Sequence, residues 1–398
     1  ADMLLAIGWN GVRSHQMPRA PLVLREFSRK RDKHLVVIDP RRSSTARLAN
    51  QHIALRPGTD ALLLRSILAI ILREGWENRA FIAEHVSGFE QLAGWLQELD
   101  VSRALEVCEV DETEIRELCR ALTTRRWCLH ADLGTLMNRH STLTSYLQAL
   151  LMTVCGRLCV SGGNVIPGSL VPMGSHSDKR NPKTWRTMAT DIPAIFGCFP
   201  PNVLPEEITS DHPERLRALF VCNANPLRSY ADTTAYERAF DKLDLCVTID
   251  VAMSETAQQS DYVLPARTGF ESWDGTFFPW TYPDVYFQLR RPVVAPEGEP
   301  LEAGEIFTRI ADEAGLLPPI PRWLDRAADL GRWPFAAALG AYLARYPKAV
   351  KVLPFVVGKT LGRAMDSHHR AAFWGLMMSA TGKVRRAARR VGLGPAPW

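Results

Sequence analysis

One phrase is written twice in this chain. Residues 38–50 read IDPRRSSTARLAN and residues 249–261 read IDVAMSETAQQSD. Aligned on the aspartate, Ile38, Asp39, Ser43, Thr45 and Ala46 match Ile249, Asp250, Ser254, Thr256 and Ala257, and Asn50 falls opposite Asp261. The upstream parts agree as well: IGWN closes a strand-like run before Asp39, and CNANP closes one before Asp250. A duplicated unit of this kind restricts the fold to two similar α/β pieces.

The order of elements supports that reading. MLLAIGW is a buried strand, APLVLREFSRKRD an amphipathic helix, HLVVID a second strand, SSTARLAN a short helix and HIALRP a third strand. TDALLLRSILAIILREG is a long helix for which Asp60 is placed as N-cap. After a helical span from 76 to 125 come the strand RWCLHADLG, the apolar helix TLTSYLQALLMTVCGRL and the loop SGGNVIPGS. Residues 168–213, rich in Pro, Ser and Asn, read as a long loop over a surface or cleft. The order then repeats: RALFVCNANP, DTTAYERAFDKL, DLCVTID, SETAQQ and DYVLPA. Strands alternating with helices imply parallel sheets covered on both faces. The expectation is therefore an α/β fold of two related Rossmann-like parallel-sheet units, at 1–150 and 151–317, plus a helical basic extension at 318–398.

Composition narrows the function class. With 46% hydrophobic and 23% charged residues the chain is globular. The net charge of +5 is carried in part by GKVRRAARRVG, read as a solvated helix face and not as a nucleic-acid arm. Eight cysteines without C-x-x-C spacing or a preceding secretory leader read as reduced thiols of a cytoplasmic protein. Cys155 and Cys159 are too sparse a pair to announce a metal. The most membrane-like stretch, from Ala149, contains Arg157 and is broken by Gly162, Gly163, Asn164 and Pro167, so no membrane span is expected. The chain opens on an apolar strand without an initiator Met, which suggests a piece of a longer protein.

Physically, each repeated unit is a strand, a polar turn, a helix and a second strand ending in Asp. Ligands of open parallel sheets lie beyond the carboxyl ends of the strands. The turn offers backbone N–H groups to phosphate. The Asp accepts hydrogen bonds from ribose hydroxyls or from the N1–H and N2–H₂ edge of guanine. Each unit thus reads as a site for one nucleotide diphosphate. The plainer alternative is that Asp39 and Asp250 only begin turns. No G-x-G-x-x-G follows either strand, which disfavours an ordinary nicotinamide site. The turns carry Asn10, Asn223 and Asn225 instead, suggesting side-chain amide contacts.

These residues, with VVIDPRRSSTARLANQHIALRPGTDALL, GRLCVSGGN, VTIDVAMSETAQQSDYVLPARTGFE and DGTF, resemble the molybdopterin oxidoreductases, the dimethyl sulfoxide reductase and formate dehydrogenase superfamily. The resemblance runs from residue 1 to about 315. It implies two molybdopterin guanine dinucleotides, one per α/β unit, holding one molybdenum or tungsten. It places Gly8, Asn10, Asp39, Arg41, Pro57, Gly58 and Asp60 at the first guanine dinucleotide, and Asn223, Asn225, Pro226, Asp250, Ser254, Thr256 and Asp261 at the second. Gly134 and the loop Gly162, Gly163, Asn164 would approach the pterins.

The departures are informative. The family's cysteine motif for a [4Fe–4S] cluster and its metal-ligating residue would precede Ala1, and its C-terminal β-barrel is not evident after residue 318. No metal ligand and no catalytic residue is therefore assigned within the chain. The helix TLTSYLQALLMT lacks the arginine of formate dehydrogenases, which disfavours formate; Arg139 and His140, just before it, could face the metal or form an exposed helix start. The aromatic SWDGTFFPWTYPDVYFQLRR reads as a substrate funnel or as core. The implied function is the central part of an oxidoreductase performing two-electron oxygen-atom or hydride transfer on a small substrate, with a possible electron-transfer partner subunit. Two alternatives stand beside it. One is a structural or electron-transfer subunit with the same fold and no cofactor. The other is an ordinary nucleotide-dependent enzyme.

Overall fold

A computed structural model describes residues 1–166, 183–195, 197–276 and 288–378, together with 382, 386 and 390. The described residues up to 166 form one compact unit, and those from 183 onward a second.

The first unit is built on four parallel strands, β1 (Met3–Ile7), β2 (His34–Ile38), β3 (Gln51–Ile53) and β4 (Trp127–Ala131), in the order β3-β2-β1-β4. β1 is buried along its whole length, as a central parallel strand must be when helices cover both faces. Alternate residues serve the two faces. Leu5, Ile7, Val36 and Ile38 pack with the helices Asp60–Arg73, Glu112–Thr124 and Ser141–Val154, while Leu4, Ala6, Leu35 and Val37 pack with Ala20–Arg29 and the fully buried Trp9. The Trp9 ring lies 4.0 Å from that of His130 on β4.

Two expectations shift here. The long helix begins at Asp60 itself, with Thr59 as the residue before it. Thr59 closes a turn by donating its N–H to Arg56 O at 3.2 Å, with Gly58 at φ +83°, so the chain enters the helix one residue earlier than an N-cap at Asp60 would require. The helix expected to straddle residue 150 buries Leu147, Leu150, Leu151 and Val154 in the first core, so the first unit continues past that position.

The second unit repeats the scheme with β5 (Ala218–Cys222), β6 (Leu245–Asp250) and β7 (Tyr262–Pro265), parallel and in that order, and adds an antiparallel pair, β8 (Asp274–Thr276) and β9 (Gln288–Arg290). Within the span read as loop, the described residues include a short helix, Leu204–Thr209. Its buried Glu207 accepts the N–H groups of Met188, Ala189 and Thr190 at 2.9–3.1 Å and the Thr190 hydroxyl, so the loop is tied down by one carboxylate.

Beyond residue 318 the chain is helical, with Arg322–Asp329, Arg332–Arg345, Leu353–Val357 and His368–Met378 around a core of Leu324, Phe335, Tyr342, Val356 and Trp374. Glu302, 1% exposed, holds this module to the rest of its unit by accepting the Ser367 hydroxyl at 2.8 Å and the His369 N–H at 3.0 Å. Residues 382, 386 and 390 of the basic tail are helical and exposed; the rest of that stretch, and residues 277–287 of the aromatic segment, lie outside the described residues. No helix among the described residues is long and apolar enough to cross a membrane.

Candidate functional site

The carboxyl ends of the first sheet lie level, Ile7 standing opposite both Ile38 and Ala131. β1 passes into Gly8, left-handed at φ +58°, whose N–H donates to Ile38 O at 2.9 Å. Gly134, in the turn after β4, donates its N–H to Gly8 O at 3.1 Å. A Cβ on Gly134 would stand 2.5 Å from that oxygen, so the two glycines require one another. β2 passes into half-buried Asp39, whose Oδ1 accepts the Arg41 N–H at 2.8 Å, leaving Oδ2 without a hydrogen bond among the described residues. Arg41 is exposed on the same turn.

β3 leads to the exposed turn at Pro57 and Gly58, where a Cβ on Gly58 would meet nothing within 4 Å. Asp60 follows, 9% exposed. Burial pushes its carboxyl above the usual carboxylate range, more than its own backbone N–H pulls it down, and the nearby Asp39 charge adds to the rise. Asn138 Nδ2 is 3.5 Å from Asp60 Oδ2. The first edge therefore gathers two carboxylates, an exposed arginine and an open turn.

The second edge repeats part of this pattern. Asn223, left-handed at φ +50°, takes the place of Gly8 and donates its N–H to Ile249 O at 2.9 Å. Asparagine is one of the few residues that tolerate that conformation. Asp250 is half-buried, with Oδ1 accepting the Val251 N–H at 2.6 Å. In each aspartate one oxygen accepts a nearby backbone N–H, from Arg41 two residues on and from Val251 next in the chain, and the other carries no hydrogen bond among the described residues.

Behind each edge lies a matching lock. Asn10 Oδ1 accepts the N–H and hydroxyl of Thr45 at 3.3 and 3.1 Å, and Thr45 Oγ1 accepts the Val12 N–H at 3.1 Å. In the second unit Asn225 Oδ1 accepts the N–H and hydroxyl of Thr256 at 3.3 and 2.8 Å, and Thr256 Oγ1 accepts the Leu227 N–H at 3.3 Å. Ser43 Oγ accepts the Ala46 N–H as Ser254 Oγ accepts that of Ala257, and Asn50 Oδ1 accepts the Leu35 N–H as Asp261 Oδ2 accepts that of Cys246.

Several residues expected at a ligand thus have their side-chain oxygens engaged within the chain. Asn10, Asn225, Ser254, Thr256 and Asp261 spend these side-chain oxygens inside the fold, and Pro226 is buried at the start of its short helix. The loop after Cys159 packs against the amino ends of two strands. Asn164 pairs through both amide atoms with the backbone of Leu129, and Gly162 lies beside Ala1 and Arg126, at the amino ends of β1 and β4. Gly163 sits in the same turn, its N–H donated to Val160 O. Arg139 and His140 are both exposed.

Comparison with known proteins gives this geometry a family. Residues 1–313 match the family described as molybdopterin oxidoreductase. The chain belongs to that family. The F420-dependent formate dehydrogenase subunit alpha of Methanocaldococcus jannaschii is 28% identical over 337 residues, covering 79% of this chain and 48% of that protein. Trimethylamine-N-oxide reductase of Haemophilus influenzae is 25% identical over 314 residues, covering 71% and 38%. The solved structure of acetylene hydratase from Pelobacter acetylenicus superposes with a TM-score of 0.65 at 23% identity, over 79% of this chain and 47% of that one, a likeness of fold. The chain spans less than half the length of these relatives.

Two further carboxylates stand at positions that correspond to those of the repeat. Asp132, 8% exposed, follows β4 as Asp39 follows β2, and accepts the Ser14 hydroxyl at 3.3 Å. Glu271 stands as far beyond Asp250 as Asp60 stands beyond Asp39, in ARTGFE against LRPGTD. Its Oε2 accepts the Thr268 N–H at 2.8 Å, and these bonds hold its carboxyl below the usual range. The signals were a strand ending in Asp and the extension of the repeat beyond Asp261. Membership also implies a molybdenum or tungsten pterin cofactor. Among the described residues no group of three or more His, Cys, Asp or Glu gathers to hold a metal ion.

Proposed function

We propose that this chain is the cofactor-holding central portion of a molybdenum bis(molybdopterin guanine dinucleotide) oxidoreductase, with one guanine dinucleotide at each carboxyl edge. The observation that carries this reading is the recurrence of Asp39 and Asp250 at the same position of the same bonded framework, each with a carboxylate oxygen left open.

The residues present fit such a group. Guanine offers N1–H and N2–H₂ as donors, and the first edge offers the acceptors Asp39 and Asp60; a donor-rich ligand also relieves the repulsion between those two carboxylates. Arg41, exposed beside Asp39, supplies the positive charge a diphosphate needs. The mutual contact of Gly8 and Gly134 keeps side chains off the edge between β1 and β4, where the strand order reverses. When bound, such a cofactor would supply two-electron chemistry on a small substrate, by oxygen-atom or hydride transfer. Reading the complete enzyme as this family's pattern, we assign a [4Fe–4S] cluster to the part before Ala1 and an electron-transfer partner to the whole protein. Eight cysteines without a disulfide support a reducing compartment, the cytoplasm.

Full-length protein purified without oxygen should carry molybdenum or tungsten together with guanine dinucleotide; absence of both would defeat the proposal. Within this chain, Asp39→Ala and Asp250→Ala should each weaken GMP binding by about 1–3 kcal/mol, as expected for loss of a hydrogen-bonded carboxylate. Wild-type affinity in both variants would count against the guanine assignment.

A further inference from the structure

The helical module after residue 318 differs in charge from everything before it. It holds fourteen Lys and Arg against three Asp and Glu, in a chain whose net charge is +5, so the remainder is net negative. Two of the three acids are consumed internally, Asp325 and Asp329 pairing with Arg363 at 3.3 and 2.8 Å. By contrast Arg322, Arg326, Arg332, Arg345, Lys348 and Lys351 are exposed and form no ion pair among the described residues.

The first two helices of the module also carry apolar side chains on the outside. On Arg322–Asp329 and the residue after it, Leu324, Ala327 and Ala328 face the core, Asp325 and Asp329 face Arg363, and Trp323, Arg326 and Leu330 share the third face at i, i+3 and i+7. Trp323 is 46% exposed and Leu330 75%. Trp333, 53% exposed, follows on the next helix just past the Gly331 turn, next to Arg332.

We propose that this face docks on an anionic phospholipid surface, the helix Arg322–Asp329 lying flat with Trp323 and Leu330 in the interface and Arg326 and Arg332 on the headgroups. Three observations choose lipid as the occupant. The apolar groups are exposed on a helix face and at the start of the next helix, which suits insertion between headgroups. Tryptophan at the rim with unpaired arginine beside it is the pattern of interfacial helices. Asp325 and Asp329, the acids of the same helix, are turned to Arg363, so Trp323, Arg326 and Leu330 share their face with no acid of that helix.

The test is cosedimentation of the full chain with vesicles. Binding is expected to phosphatidylcholine vesicles containing phosphatidylglycerol, not to phosphatidylcholine alone, and it should weaken as salt is raised. Trp323→Ala/Leu330→Ala/Trp333→Ala and, separately, Arg326→Glu/Arg332→Glu should each bind about tenfold or more less tightly. All these side chains are exposed, so circular dichroism should be unchanged; if one variant misfolds, the other still carries the test. Failure of the wild-type chain to bind anionic vesicles overturns the proposal in favour of an acidic protein partner. So does equal binding by the wild type and a folded variant, which would assign the attraction to the basic tail.

Discussion

Gly134 and Asp60 show two ways in which single residues shape the first edge. The Cβ of Gly134→Ala would press on Gly8 O at 2.5 Å, and neither backbone can yield without disturbing a hydrogen bond. Urea unfolding should therefore report a loss of about 1–3 kcal/mol; an unchanged midpoint would mean the turn is free to move. Asp60 acts through charge. Its carboxyl is raised by burial and by Asp39, so the folded state holds the proton more tightly than the unfolded state does. That contribution is present below the ordinary carboxylate pKa and is lost as pH rises through the folded value. Asp60→Asn should accordingly melt above the ligand-free wild type at pH 7, and the gap should close toward pH 4. Equal gaps at both pH values would show that Asp60 is not strained.

At the level of elements, the repeat is a repeat of hydrogen bonds. Asn10 with Thr45, and Asn225 with Thr256, each join the short helix after one strand to the turn after the next. Double-mutant cycles on Asn10→Ala with Thr45→Val, and on Asn225→Ala with Thr256→Val, should return similar coupling energies of about 0.5–3 kcal/mol; coupling in one unit only would undo the equivalence. The spelling announced this kinship, because Ser, Thr and Ala recur at fixed offsets and the strands are continuous apolar runs. It could not say which way the side chains turn. Helix capping and turn locking select the same small hydroxyl residues as phosphate contacts do, so the identity of Ser254 and Thr256 does not reveal the bonds they make within the chain. The pairing of Asn164 with Leu129 was not legible for a similar reason: a side-chain amide can complete a sheet edge as well as approach a ligand. The place of Asp39 and Asp250 at strand ends, and of Pro57 and Gly58 in a turn, was legible because an apolar run closing on Asp and a Pro-Gly pair mark those features.

For the molecule as a whole, the question is how a basic helical module stays attached to an α/β unit through one buried acid. Glu302 accepts bonds from both Ser367 and the first turn of His368–Met378, at 1% exposure, where an unpaired donor cannot turn to water. His369 adds a second tie. Its Nε2 accepts the Gly304 N–H at 3.3 Å, which leaves Nδ1–H to donate to Trp273 O at 3.2 Å, so the tautomer follows from its partners. Charge-assisted bonds of this kind contribute about 1.5–3 kcal/mol, and removing the acceptor strands its donors. Glu302→Ala should therefore speed amide exchange through His368–Met378 by ten- to a hundredfold or more. Exchange in β6, whose bonds to β5 and β7 do not pass through Glu302, should change far less. A uniform acceleration across both would mean that the module and the α/β sheet open as one cooperative body, and the clasp would then be one contribution among many.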